Sequence, residues 1–356
     1  MTQDHPEYLE ITESRIYKDV NKKLGNSSSF VDKFEINIGN IRNYQLICPI
    51  GSGKYSTVFY GKIKKKKEEP KANEKIKPQK CAIKILKFIS FQRIKREICI
   101  IDYLQGIPNI VKLFDSVRDL QSKTISIITE YDEPINIANF YPTLTLDEIR
   151  HLMFNLLVAL DLCHKKGVMH RDVKPGNIII RPDRNNLFLI DWGLAEFYFP
   201  NQRYSTRVST LRYKAPELLL NYEYYDYGVD IWGAGVSFGE MLVKYPFFEG
   251  RNLHEMIACI TSLWGLDKMI NYFGRYGLAV LPETIQLFPK NPESQWDKVI
   301  SSTRSMKRDN EAFDLLKKLL TIDHAERITA KEALMHPFFD SIRDELCIKC
   351  NYVFDD

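Results

Sequence analysis

The stretch "MHRDVKPGNIII", Met169 to Ile180, sets His170, Arg171, Asp172, Lys174 and Asn177 within eight positions, directly ahead of three isoleucines. Consecutive β-branched residues suit a buried, pleated strand. The polar set therefore falls in a loop at the mouth of a sheet, where chemistry is commonly placed. Asp172 can accept the proton of an attacking hydroxyl. Lys174, two positions on, can neutralise a transferring anionic group, and Asn177 can ligate a hard cation through its amide oxygen. A second ligand should be a carboxylate just past the next strand, and "NLFLIDWG" supplies Asp191 there. Mg²⁺ takes such oxygen ligands and completes its shell with phosphate and water.

Two upstream stretches fit the same chemistry. In "IGSGKYSTVFYGK", Gly51 and Gly53 let the backbone turn between strands and approach a phosphate with no Cβ between. In "CAIKILK", Lys84 stands mid-strand, where an amine is costly to bury unless paired, and Glu97 in the following helix is its natural partner. Such a pair would hold the amine against the phosphates of a nucleotide, and the reaction would be phosphoryl transfer by positioning and charge neutralisation. Single residues carry blander readings. A lone G-x-G also marks ordinary hairpins, His170 reads as a packing residue bracing its loop, and Trp192 reads as core.

The elements that must position these groups fall into two textures. From Tyr44 to Glu130 the pattern is strand-like at "YQLICPIG", "STVFYGK", "CAIKILK" and "TISIITE", with one helical stretch around "FQRIKREICIIDYLQ". Beyond Thr145 helices dominate. Ile149, Leu152, Met153, Leu156, Leu160 and Cys163 follow amphipathic helical spacing behind a Thr145–Glu148 capping box. The run 62–80, "KIKKKKEEPKANEKIKPQK", holds almost nothing apolar and reads as a solvated hairpin insert. The chain thus divides into a polar N-terminal segment (1–39), a small β-rich lobe (40–131) with that insert, a large helical lobe (132–340) and a tail (341–356).

Of the 356 residues, 44% are hydrophobic and 27% charged, an ordinary globular composition. No apolar run approaches the roughly 18 residues that would span a bilayer, and the acidic, polar start does not read as a secretory signal. Seven scattered cysteines argue for reduced thiols in the cytoplasm or nucleus. The single C-x-x-C, "CIKC" in the tail, reads as neither metal nor redox site. The net charge of +4 favours acidic partners slightly and predicts no specific nucleic-acid binding, since the lysine-rich run lacks interleaved aromatics.

The ordered set "GSGKYSTV", "AIKIL", "KREI", "HRDVKPGN", "DWG" and "APE" resembles the eukaryotic protein-kinase signature from about Tyr44 to Phe339. "YDYGVDIWGAGV" matches the family's helix in which Asp230 braces the catalytic loop, and Arg327 resembles the arginine that pairs with the APE glutamate. More closely, "GKYSTVF", "DWGLAEFY", "YDY", "KYPFFEG" and the N-terminal "SRIYKDVN" resemble the casein kinase II catalytic (alpha) subunits, of which this chain reads as a divergent member.

That resemblance implies an α+β, bilobal fold and a serine/threonine kinase that is acidic-directed and constitutively active. It implies ATP, with GTP as an alternative, together with Mg²⁺, and a regulatory beta subunit as a candidate partner. It assigns catalysis to Asp172 and Lys174 and metal binding to Asn177 and Asp191. Nucleotide contacts are assigned to Ile50, Gly51, Ser52, Gly53, Lys54, Tyr55, Ser56, Thr57 and Val58, and to Ala82, Lys84, Glu97, Glu130, Asp132 and Ile179. In that family "SRIYKDVN" packs against the activation loop, and the Trp192 N–H is expected to pin the metal-binding loop.

Several positions depart from the family. The lysine-rich run that reads acidic substrates is here "FISFQR", Phe88 to Arg93. Arg207 and Lys214 match basic residues ahead of APE, but Leu211 stands where another belongs. Gly176 replaces a histidine, and Ala82 and Thr129 are smaller than the residues that narrow the family's pocket. Two alternatives stay open: a pseudokinase scaffold, although none of Lys84, Glu97, Asp172, Asn177 and Asp191 is lost, and a proline-directed kinase of a neighbouring group.

Overall fold

The computed structural model describes residues 7–24, 27–64, 78–87, 89–133, 140–290, 293–302 and 309–354. Most of the lysine-rich run (65–77) and Phe88 lie outside them.

Period-two runs of β-branched and aromatic residues build one six-stranded sheet. Its strands are β1 (Ile38–Gly39), β2 (Tyr44–Ser52), β3 (Ser56–Ile63), β4 (Lys80–Leu86), β5 (Leu113–Arg118) and β6 (Ile125–Thr129), in spatial order β1-β5-β6-β4-β3-β2. All neighbours are antiparallel except β1, which joins β5 in parallel with Ile38 opposite Ser116. A two-residue strand carries no periodic signal, which is why β1 has no counterpart in the sequence pattern. The ends of the lysine-rich run also belong to the sheet: Lys62 and Ile63 finish β3, Lys80 begins β4, and the Ile63 N–H donates to the Gln79 carbonyl.

Helix α1 (Ser27–Lys33) precedes the sheet, and α2 (Phe91–Tyr103) lies against it with Glu97, Ile98, Cys99, Ile100 and Ile101 buried. After residues 130–133 the helical lobe begins with α3 (Leu146–Lys165). Thr145 and Glu148 form the expected capping box, and all six residues of the anticipated apolar stripe are buried. Strands β7 (Val168–Met169), β8 (Ile178–Ile180), β9 (Leu187–Leu189) and β10 (Glu196–Phe197) pair as β7–β10 and β8–β9, and they frame the catalytic loop. Helix α4 (Gly228–Val243) is apolar nearly all round and buried from Val229 onward, as a core helix should be. Gly233 meets the loop so closely that a Cβ there would lie 2.5 Å from the Val173 carbonyl oxygen. The Arg327 guanidinium forks onto Glu217 at 2.7 and 3.0 Å, with both side chains fully buried. Removing one partner of such a pair typically costs about 3–5 kcal/mol, because the other charge is left unpaired.

Candidate active site

The cleft between the sheet and the helical lobe is a cavity of about 500 Å³. The β2–β3 hairpin roofs it: Gly51 pairs with Val58 and Ser52 with Thr57, and the Gly53 N–H donates to the Ser56 carbonyl. Ile50, Gly51, Ser52, Gly53, Ser56 and Val58 line the cavity, whereas Lys54, Tyr55 and Thr57 do not. Lys54 instead lies 5.1 Å from the Tyr55 ring at the hairpin tip. Nothing comes within 4 Å of a Cβ built on Gly53, so the roof leaves room for a phosphate at that point.

Ala82, Lys84, Glu97, Glu130, Asp132, Ile179, Lys174, Asn177 and Asp191 also line the cavity. Lys84, opposite Val58 on β4, reaches Glu97 Oε1 and Asp191 Oδ1 at 2.6 Å each. Burial opposes the Lys84 charge, but the two carboxylates outweigh it and hold the amine above the ordinary lysine range. The same amine, against burial, holds Asp191 below the usual carboxylate range. Each charge thus keeps the other ionised at neutral pH.

Below the cavity the catalytic loop hangs from Asp230 on α4. Asp230 accepts the N–H groups of His170 (2.8 Å) and Arg171 (2.7 Å) and is bonded by His164 Nε2 at 3.0 Å. Burial would raise this carboxyl, but His164 and the loop N–H keep it lowered. His170 Nδ1 accepts from the Asp172 N–H and Nε2 donates to the Ile190 carbonyl, which fixes a neutral tautomer. His170 is therefore structural. Arg171 and Asp191 both hold left-handed backbone, φ 65° and 63°, strain of the kind that collects at functional sites.

Asp172 is held from three sides. Its Oδ1 accepts the Thr210 N–H and Oγ1, and its Oδ2 accepts Lys174 Nζ at 2.7 Å. Asn177 Nδ2 donates to the Asp172 carbonyl oxygen at 2.8 Å, which turns its amide oxygen to other use. Lys84 and the Gly193 N–H both bond Asp191 Oδ1. Asp191 Oδ2 and the Asn177 amide oxygen are thus two hard donors at the cavity wall, a pair that suits Mg²⁺.

Two expectations change. Trp192 does not pin the metal-binding loop through its indole N–H, which is buried without a partner among the described residues; the ring packs edge-on against His170 at 4.7 Å. Lys214 does not face outward as a reader of acidic substrate, because its Nζ donates to the carbonyls of Thr206 and Val208. Burial lowers this amine to about 8, with Asp172 opposing the shift.

Other residues emerge only in three dimensions. Glu196 receives Arg96 at 2.5 Å and lies 3.7 Å from Arg171 Nη2, so one buried carboxylate joins α2 to the catalytic loop. Arg171 also bonds the Leu194 carbonyl and Tyr225, whose hydroxyl donates to Ser205. The "AEFY" residues gave the only sequence signal for this contact.

The N-terminal segment reaches the same region. Asn21 Nδ2 donates to the carbonyls of Gly167 and Tyr198, and the Ser14 N–H donates to the Tyr198 hydroxyl. Gly167, at φ 71°, could carry no side chain there, since a Cβ would lie 2.2 Å from Asn21 Nδ2. Arg15 pairs with Glu332, and Thr12 bonds Tyr222 and His324.

A cleft roofed by a glycine hairpin, an ion-paired strand lysine and an aspartate loop anchored on a buried helix define a phosphotransferase. The model of the protein kinase domain matches residues 44–339, and the chain belongs to the protein kinase family. Use of ATP and Mg²⁺ goes with that family.

Proposed function

We propose that the protein is a serine/threonine kinase of the casein kinase II type, constitutively active and directed to acidic substrates. The observation that carries this reading is the assembled catalytic set. Lys84 is closed on Glu97 and Asp191, and Asp172 is held by Thr210 and Lys174.

In this reading Lys84 orients the nucleotide phosphates, and Asp172 takes the proton as the substrate oxygen attacks the γ-phosphorus, the bond to the bridging β-phosphate oxygen breaks and ADP leaves. Lys174, already between Asp172 and Thr210, offsets the charge that spreads over the transferring group. Asn177 and Asp191 hold Mg²⁺, which when bound neutralises phosphate charge. Three features support activity without a loop phosphate: Glu196 stands between Arg96 and Arg171, and Asn21 and Ser14 tie down Tyr198. Arg93 and Arg207, both exposed, support an attraction for acidic residues. A regulatory subunit is a further part of the reading, and exposed Leu46 and Ile47 on β2 offer it an apolar face.

The test is a serine, threonine and tyrosine peptide library incubated with unphosphorylated, bacterially produced protein, ATP and Mg²⁺. Transfer to serine or threonine ahead of acidic residues is the expected result. Transfer only before proline, or none at all, overturns the reading.

A further inference from the structure

Glu130 and Asp132 lie two apart on the segment that joins the lobes, so in extended backbone their side chains leave on one side and Tyr131 on the other. Tyr131 packs against Tyr60 of β3, ring centroids 4.8 Å apart, which ties the segment to the small lobe. Both carboxylates point instead to one residue of the large lobe. Arg181 Nη2 lies 3.4 Å from Glu130 Oε2, and its Nη1 lies 3.5 Å from Asp132 Oδ2. The remaining oxygen of Glu130 accepts the Lys112 N–H at 2.8 Å.

Arg181 is itself aimed by its strand. It follows Ile179 by two residues, and Ile179 lines the cavity opposite Phe188 on β9. The Arg181 N–H continues the ladder to the Asn186 carbonyl, and its guanidinium lies over the Phe188 ring at 5.1 Å. Phe188 and both hinge acids line the nucleotide cavity, while Arg181 lines a separate cavity of about 230 Å³ behind them. One cation outside the cleft thus holds two acids at its edge.

We propose that Arg181 is a positioning residue for the nucleotide: docked on Phe188, it grips Glu130 and Asp132 and so fixes the interlobe segment that forms the cavity wall. The proposal rests on ATP being what the cleft holds. Without the guanidinium, two carboxylates at the edge lose their partner, and the wall loses its tie to the large lobe. Binding of nucleotide then has to order the segment, and that cost falls on affinity rather than on the chemical step.

The test compares wild type with Arg181→Met, Arg181→Lys, Asp132→Asn and the Arg181→Met/Asp132→Asn double variant. ATP Kd is read by direct titration, with KM and kcat measured on one fixed peptide. Each contact is a long, half-buried ion pair still open to solvent on one side, so the expected loss is modest. Arg181→Met should raise ATP Kd and KM about two- to tenfold and leave kcat within about twofold. Arg181→Lys should fall between the two, since it keeps the charge without the fork. The double variant should bind no more weakly than Arg181→Met, because both changes break one contact. An unchanged ATP Kd in Arg181→Met, a fall in kcat with no change in Kd, or additive losses in the double variant each overturn the proposal. A wild type that binds no ATP sinks the kinase reading itself, a different failure from any of these.

Discussion

Thr210 donates twice to one oxygen of Asp172, from its N–H at 2.8 Å and from its hydroxyl at 2.9 Å. The other oxygen, Oδ2, accepts Lys174 Nζ at 2.7 Å and Asn177 Nδ2 at 3.1 Å, so the carboxylate is fixed at both ends. Asp172→Asn keeps the shape but removes the base, so kcat should fall about 10²–10⁴-fold with ATP affinity little changed. Lys84→Met should likewise abolish transfer, since it leaves Glu97 and Asp191 unpaired. Radiolabel transfer at near-wild-type rate by either variant would refute the assignment.

Activity should not await phosphorylation of Ser205, Thr206 or Ser209. Arg171 is already engaged by the Leu194 carbonyl, Tyr225 and Glu196. Glu196→Gln keeps the hydrogen-bonding shape and removes the charge between two arginines. It should reduce kcat several-fold, whereas deletion of residues 1–25 should remove most activity along with the Asn21 and Ser14 contacts. Mass spectrometry of the bacterial product establishes its phosphorylation state. An inactive unphosphorylated preparation, rescued by an upstream kinase, contradicts this prediction.

The sequence made the order of elements and most of the cavity legible, because these depend on local periodicity and on residues whose chemistry is rare in context. A mid-strand lysine or a loop aspartate before a β-branched run cannot be explained by packing alone. The carboxylate of Glu196 was not legible, because it faces arginines 100 and 25 residues away along the chain. The same holds for Arg181, whose partners lie 51 and 49 residues upstream. Lys214 was misjudged for a related reason: sequence shows that a residue is basic but not that its amine is spent on neighbouring carbonyls.

The nucleotide cavity should admit wider ligands than a narrow slot would. Ala82 and Thr129 are direct cross-strand partners on β4 and β6, so two small side chains meet at one point of the wall. Behind them Ile101, Val111 and Ile127 also line the cavity. Compact planar inhibitors suited to narrow casein kinase II pockets should lose about 1–3 kcal/mol here, the range for one or two lost apolar contacts. Thr129→Phe should recover part of that affinity. Calorimetric titration checks both, and equal affinity for this enzyme and a narrow-pocket one counts against the idea.

In the proposed reading Lys214, its amine turned onto its own segment, acts on an acidic substrate only through its positive field, and that field depends on pH. Burial lowers its amine to about 8, so its charge is present at pH 7 and lost as pH rises past 8. A neutral amine still donates two hydrogen bonds, so the bonds to Thr206 and Val208 survive while the positive field fades. KM for an acidic peptide should therefore rise between pH 7 and 9 relative to that for a neutral peptide, and Lys214→Met should flatten the difference. The stability effect has a definite sign. The unfolded lysine titrates near 10.4, so the unfolded chain holds more protons between about 8 and 10.4, and this group's contribution to stability rises with pH across that window. Parallel pH profiles for the two peptides would remove Lys214 from substrate choice.

Acidic preference should be present and shallow. Of six candidate basic residues, Lys95 donates to the Asp32 carbonyl, Arg96 is bound to Glu196, and Lys214 is turned onto its own segment. Arg93 and Arg207 are exposed, and Arg212 is half-buried. An exposed ion pair contributes only about 0.2–1 kcal/mol, so two or three of them give roughly a few-fold to a hundredfold discrimination at most. Leu211 adds nothing where a further basic residue would add one more step. The measurement is kcat/KM for a peptide series with aspartate or alanine at each position after the acceptor serine, repeated at two ionic strengths. The expected result is a graded loss spread over several positions and weakened by salt, since exposed charges are screened within about 8–10 Å. A steep loss confined to one position would mean that a single built site reads the acid. No loss anywhere would remove acidic direction from the reading of this kinase.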